Sequence, residues 1–301
     1  MRLPSGLRSA AGPLAAAGLL LGMSQAGGDY ARSIETWRHE REARLKSDDG
    51  WLTVAGLFWL KEGPNRFGSA ASNDIVLPAG SAPPAAGVFE FHDGRARLKA
   101  LEGVTITSSG RPVTTMDLRS DDPGPPDLLV LGDLTMFVIK RGDRFAIRLR
   151  DRNNAARREF AGLHWFPIRE EYRVVASFQR YDPPRRIAIP NILGQTEQLP
   201  CPGSVSFTLG GRTLTLEPVI EEPGATELFY IFRDRTSGQE TYGAGRFLYS
   251  DMPKDGTVVL DFNKAYTPPC AFTPYATCPL PPKQNILDLR IEAGELNYGH
   301  H

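Results

Sequence analysis

Recognisable catalytic signatures are what this sequence most lacks. It has no Gly-x-Ser-x-Gly elbow to expose a serine nucleophile and no Gly-x4-Gly-Lys-[Ser/Thr] loop to cradle phosphate. It also has no His-Glu-x2-His pair for zinc, and no Gly-x-Gly-x2-Gly following a strand, so no cofactor and no metal are expected. Histidine is scarce: of five in 301 residues, His300 and His301 sit on the terminal tail, which leaves His39, His92 and His164 for acid–base work. Charge of one sign is missing too. Lys and Arg total 35 and Asp and Glu total 35, with no basic stripe interleaved with aromatics, which argues against a nucleic-acid partner. Long apolar runs are absent: Ala15 to Gly22 (AAAGLLLG) falls well short of the roughly 20 residues needed to span a bilayer.

That short run has a meaning of its own. Arg2 and Arg8 precede it, and Ser24-Gln25-Ala26 follows with small residues placed for cleavage, the layout of a secretory signal peptide over residues 1–26. The expectation is a periplasmic or secreted protein with no membrane span after cleavage. In such an oxidising compartment Cys270 and Cys278, close together in a Pro-rich stretch, read as a disulfide. Two buried thiols or a metal site remain open as alternatives, although Cys-x7-Cys lacks the short spacing and nearby histidines of a zinc motif. Cys201 stands alone in LPCPG.

Glycine (30) and proline (25) are both plentiful, and they punctuate turns, which favours many short strands over long helices. One helix is expected over residues 29–48, because Tyr30 to Lys46 has no Pro or Gly and Ile34, Trp37, Arg41 and Leu45 share a face. From residue 50 to 152 the pattern is β. Gly87 to Leu98 reads as two alternating runs joined at Asp93-Gly94, and the form repeats at Ser109-Gly110, Gly132-Asp133 and Gly142-Asp143. Such regular spacing predicts a sandwich. A polar connection at Asn153 to Arg158 opens a second antiparallel β domain, residues 153–297, a barrel or a sandwich. Its strands are expected at 172–181, 185–190, 204–218 (turning at Gly210-Gly211), 227–233, 240–249, 257–262 and 286–292. Ala265 to Asn285 is too rich in proline for a regular ladder. The fold class expected is therefore mostly β, with one N-terminal helix and a Pro-rich loop.

Three stretches, GWLTVAGLFWLKEGPNRFGSAASNDIVLP (Gly50 to Pro78), ETYGAGRFLY (Glu240 to Tyr249) and LDFNKAYTPPCAFTPYATCPLPPKQN (Leu260 to Asn285), resemble the bacterial domain-of-unknown-function family numbered 1684. The resemblance covers nearly the whole mature chain and implies no activity. RFGSAASNDIVL also resembles the opening of a forkhead-associated (FHA) domain, a β-sandwich that reads phosphothreonine. Here Arg66 precedes Gly68 rather than following it, and His92 comes too late for the phosphate-reading histidine. The likeness implies the sandwich rather than the phosphopeptide function.

The chemistry-bearing residues concentrate in the second half. In Thr241 to Arg246, Gly243 and Gly245 bare the backbone beside Arg246, whose planar donor fork suits an anion, with Tyr242 alongside. A β-bulge with Arg246 paired to an internal acid such as Asp261 is the competing reading. Asp261, Asn263 and Tyr266 alternate along DFNKAY beside the Pro-rich loop. They either line a pocket mouth or hold that loop by hydrogen bonds. Glu292 and Glu295, on the last expected strand, are further partners for Arg246. His164, flanked by Trp165 and Phe166, would titrate near neutrality if partly buried. Three classes then compete. The first is an envelope binding protein holding a small anionic or polar ligand through Tyr242, Gly243, Gly245, Arg246, Asn263 and Tyr266. The second is a hydrolase-type enzyme with His164 or Asp261 as base in the same pocket. The third is a protein-interaction module. The absence of a nucleophile–base pair favours the first.

Overall fold

Turn chemistry sets the first half. Asp93 and Gly94 both adopt positive φ (49° and 74°), which lets Gly87–His92 fold straight back onto Arg95–Ala100. The computed structural model describes residues 16–299. The turns at Ser109-Gly110, Gly132-Asp133 and Gly142-Asp143 all join antiparallel neighbours. Two sheets result. One runs in the order Ile75–Val76, Gly63–Gly68, Gly87–His92, Arg95–Ala100, Thr115–Leu118. The other runs Val54–Trp59, Arg144–Asp151, Leu134–Arg141, Leu129–Leu131, Thr107–Ser108, Arg111–Pro112. Their inner faces share one core, in which Phe67 and Phe89 stack at 4.6 Å and meet Leu98, Met136, Ile147 and Leu149. Burying each such side chain contributes about 1.5–3 kcal/mol.

The second half is built around a long ribbon. Arg173–Pro190 pairs along Thr196–Leu209, where two separate strands had been expected. Pro183 and Pro184 have no N–H to donate, and the ladder absorbs them in a register shift between Arg180 and Arg185 instead of breaking. Arg212–Leu216 and Thr257–Asp261 complete a four-stranded open sheet, and Glu227–Phe232 pairs with Arg246–Asp251 as a two-stranded one. Among the described residues no sheet closes into a barrel, so the sandwich alternative holds. Both faces of the two-stranded ribbon are covered. Leu228, Tyr230, Phe232 and Leu248 pack on the four-stranded sheet, while Phe229, Ile231 and Phe247 pack on Ile187, Ile189 and Cys201 beneath the Pro-rich loop. That double burial explains why the residues from Leu228 to Phe232 are apolar without alternation.

One expected strand forms only in part and another does not form. Residues 240–245 are turns, and only Arg246–Asp251 is extended. Residues 286–292 are irregular apart from a bridge at Ile286. Their backbone groups find mixed partners: the Leu287 N–H donates to the Arg233 carbonyl at 2.7 Å, the Ile291 N–H donates to Asp234 Oδ2 at 2.7 Å, and Arg246 donates to the Ile291 carbonyl at 3.0 Å.

The helix spans Ala16–Lys46. The basic residues of the expected signal peptide lie outside the described residues. Polar contacts strap the helix to the second half of the chain. Tyr30 donates to Asp261 (2.9 Å), Arg38 to the Phe166 carbonyl (2.9 Å) and Arg41 to the Thr267 carbonyl (2.9 Å), while Glu42 accepts from the Leu163 N–H (2.8 Å). No described helix is long and apolar enough to cross a membrane.

Candidate functional site

Arg246 is 1% exposed, so the anion cradle expected around it is not there. Its guanidinium pairs with Asp234 at 3.3 Å and donates to the carbonyls of Ile291 and Ala293. The acid is Asp234, rather than Asp261, Glu292 or Glu295. Burial lowers the Arg246 pKa, with Asp234 opposing the shift. The bare backbone beside it is packed as well: a Cβ on Gly245, at φ 109°, would meet the Phe232 carbonyl at 2.5 Å and a Pro281 side-chain carbon at 2.7 Å. Gly243 lies against Gly238, and Tyr242 packs on the small core around Leu45 and Phe272. These glycines accept a close backbone approach rather than a ligand.

Other expected residues also resolve into structural roles. Asn263 is fully buried and bonds the Arg169 backbone in both directions, accepting from its N–H at 3.1 Å and donating to its carbonyl at 2.8 Å. Asp261 accepts from Tyr30 and from the Asn263 N–H. His164 is exposed. Cys270 and Cys278 form the disulfide. Cys201 is a buried free thiol whose pKa burial pushes up to about 11. Among the described residues no cluster of His, Cys, Asp or Glu has the makings of a metal site.

Of the expected binding and catalytic residues, Tyr266 and Asp261 line open space, Asp261 only in the second of two cavities. Tyr266 lines a cavity of about 460 Å³ beneath the disulfide-stapled loop. The loop supplies one wall with Pro269, Thr277, Cys278 and Pro279, and Trp51, Phe229, Phe247 and Tyr249 give an aromatic lining. Glu221, Glu197, Arg41, Arg141 and Asn191 bring polar groups into it. Arg141 also fixes the loop, pairing with Asp121 at 2.9 Å while its Nε donates to Thr277 at 3.0 Å. A second cavity, of about 590 Å³, shares Arg41, Tyr249 and Tyr266 with the first and adds Trp37, Arg44, Arg173, Lys264, Glu227 and Asp251.

The shared wall is a polar array. Tyr249 donates to Glu221 at 2.5 Å and stacks on Tyr266, the rings 6.4 Å apart and 12° from parallel. The Arg41 guanidinium lies 4.5 Å from the centre of the Tyr266 ring, and its Nε pairs with the fully buried Glu295 at 3.2 Å. Burial raises the Tyr266 pKa to about 12 against the opposing pull of Arg41. Burial likewise raises the Glu221 pKa; the Tyr249 hydroxyl opposes this, and the neighbouring Glu222 and Glu227 reinforce it. A carboxyl poised upward in a cleft, bonded to a tyrosine, is equipped to give or take a proton.

Sequence reasoning missed Arg41, Glu221 and Tyr249. One signal was present: Arg41 interrupts the apolar face of the helix that Ile34, Trp37 and Leu45 define, a position that calls for a buried partner.

Residues 158–296 match the model of a protein family of unknown function, DUF1684. An uncharacterised protein of Haloarcula marismortui, known from a solution NMR structure, is 33% identical over 46% of this chain and 78% of its own, with a TM-score of 0.40. That family match spans just under half of the chain. No curated protein matches it. Two FHA-domain structures align with 31% of this chain at 19% identity and a TM-score of 0.23. One is the FhaA FHA domain in complex with the intracellular domain of Rv3910, 97% of which is covered; the other comes from work on phosphothreonine-dependent FHA interactions, with 92% covered.

Proposed function

We propose that this protein is an exported binding protein for a small polar ligand, held in the cavity under the disulfide-stapled loop. The observation that carries the reading is the cavity itself: about 460 Å³, walled by aromatic rings, with the Tyr249–Glu221 pair and Arg41 converging on it. Binding sites of small molecules have this make-up, mostly apolar with a few placed polar groups. Export is supported by the signal-peptide layout of residues 1–26, and a disulfide suits an oxidising compartment.

A thermal-shift panel of small aromatic and polar compounds tests the binding function. A ligand at a hundredfold its Kd stabilises by about 2.7 kcal/mol. The shift should shrink in Glu221→Gln and Tyr249→Phe and persist in His164→Ala. A panel without a hit, or a hit indifferent to both cavity variants, would count against the proposal. Cell fractionation with N-terminal sequencing tests export, and a full-length cytosolic product would refute it.

One observation favours a second reading, a hydrolase with Glu221 in place of His164 or Asp261 as base. Glu221 combines a raised pKa with a direct hydroxyl partner inside the cavity. Turnover that Glu221→Gln abolishes while leaving binding intact would establish it.

A further inference from the structure

The second cavity carries charges of both signs that do not neutralise one another. Arg44 comes from the last turn of the helix, Arg173 from the start of the long ribbon and Lys264 from the turn after Thr257–Asp261. Glu227 and Asp251 are a cross-strand pair at one end of the two-stranded ribbon. Among the described residues none of these five side chains takes part in an ion pair or a side-chain hydrogen bond; Arg173 has only the Tyr30 ring, 5.8 Å away. The remaining charged liners are already engaged, Arg41 by Glu295 and Asp261 by Tyr30 and Asn263.

Three cations and two carboxylates lining one cavity, with no ion pair between them among the described residues, match a ligand that carries both charges itself. The neighbouring cavity is reached past Arg41, Tyr249 and Tyr266, which belong to both, and it is aromatic. We infer that the two cavities form one two-lobed site for an aromatic zwitterion, of which an aromatic α-amino acid is the simplest case. Its carboxylate faces Arg44, Arg173 and Lys264, its ammonium faces Glu227 and Asp251, and its ring enters the aromatic lobe beneath the loop. This assignment rests on the binding function proposed above and specifies its ligand class.

Isothermal titration with four probes tests it: L-phenylalanine, 3-phenylpropionate (no ammonium), 2-phenylethylamine (no carboxylate) and benzyl alcohol (neither charge). Removing either charged group from the ligand should weaken binding about tenfold or more. L-phenylalanine should therefore bind tightest, and the gap should narrow with added salt. Arg173→Gln/Lys264→Gln should bring L-phenylalanine down to the level of the amine. Glu227→Gln/Asp251→Asn should bring it down to that of the phenylpropionate. Four of these positions are at or near the surface, so folding should be kept, and circular dichroism checks that. L-phenylalanine binding no tighter than either singly charged analogue, or unmoved by both double variants, overturns the inference. Benzyl alcohol binding that Trp51→Ala removes, in that event, leaves the aromatic-cavity reading standing. Silence from all four probes removes both.

Discussion

The ion pair between Arg246 and Asp234 offers the sharpest test of how the second half is held together. Both side chains are fully buried, and they sit where the irregular segment 286–295 crosses the two-stranded ribbon. Arg246→Met keeps the bulk of the side chain but strips Asp234 of its counter-charge, and it leaves the carbonyls of Ile291 and Ala293 without their donor. Removing one partner of a buried pair costs about 3–5 kcal/mol, because the remaining charge is stranded away from water. At about 2–4 °C per kcal/mol for a chain of this size, the melting temperature should fall by roughly 6–20 °C. Urea titration followed by far-UV circular dichroism measures the loss. Asp234→Leu should be comparably costly, since Asp234 also accepts from the Ile291 N–H and from the Thr236 hydroxyl. The double variant should cost clearly less than the sum, because neither charge is then left alone. A single variant within about 1 kcal/mol of the parent, or strict additivity in the double, would refute the view that this pair anchors the segment.

Three further outcomes are expected. Glu221 is more easily protonated in the fold than in the unfolded chain, because burial raises its pKa above the ordinary 4.5. Its stabilising share is present at low pH and fades as pH climbs through the folded value, so the melting temperature of Glu221→Gln relative to the parent should rise with pH, and a flat difference would contradict this. Cys201, buried and with its pKa lifted to about 11, should resist Ellman's reagent at pH 8 in the native state and react once urea unfolds the chain. Reducing Cys270–Cys278 should cost about 2.5 kcal/mol, the loop entropy of so short a ring, and should weaken any ligand of the cavity that the loop walls; chemical denaturation with and without reductant measures it.

The parts of the fold legible in sequence were those set locally. Asp93-Gly94 and Gly210-Gly211 demand a reversal whatever surrounds them, and the hairpins appear where these dipeptides stand. Failures arose where tertiary contacts overrode local pattern. Ile286 to Glu292 alternates like a strand, yet the Ile291 amide and carbonyl are claimed by Asp234 and Arg246 from elsewhere in the chain, and the Glu292 amide by the Tyr172 hydroxyl. The site followed the same rule. Gly243, Gly245 and Arg246 are neighbours in sequence and read as a cradle, but their proximity serves packing. The residues that do share a cavity, Arg41, Glu221, Tyr249 and Tyr266, are spread over more than two hundred positions. Arg41 comes from the strapped helix, Tyr249 from the two-stranded ribbon, and Glu221 and Tyr266 from segments outside the strands.

That strapping bears on how the protein can be divided. The stretch matching the family, 158–296, contains most of the cavity lining but neither Arg41 nor Trp51 nor Arg141. A fragment cut to those boundaries would present Tyr266 without the cation over its ring and Glu295 as an orphaned acid in the interior. An intact cavity therefore calls for a polypeptide that starts ahead of Tyr30 and keeps the N-terminal sandwich.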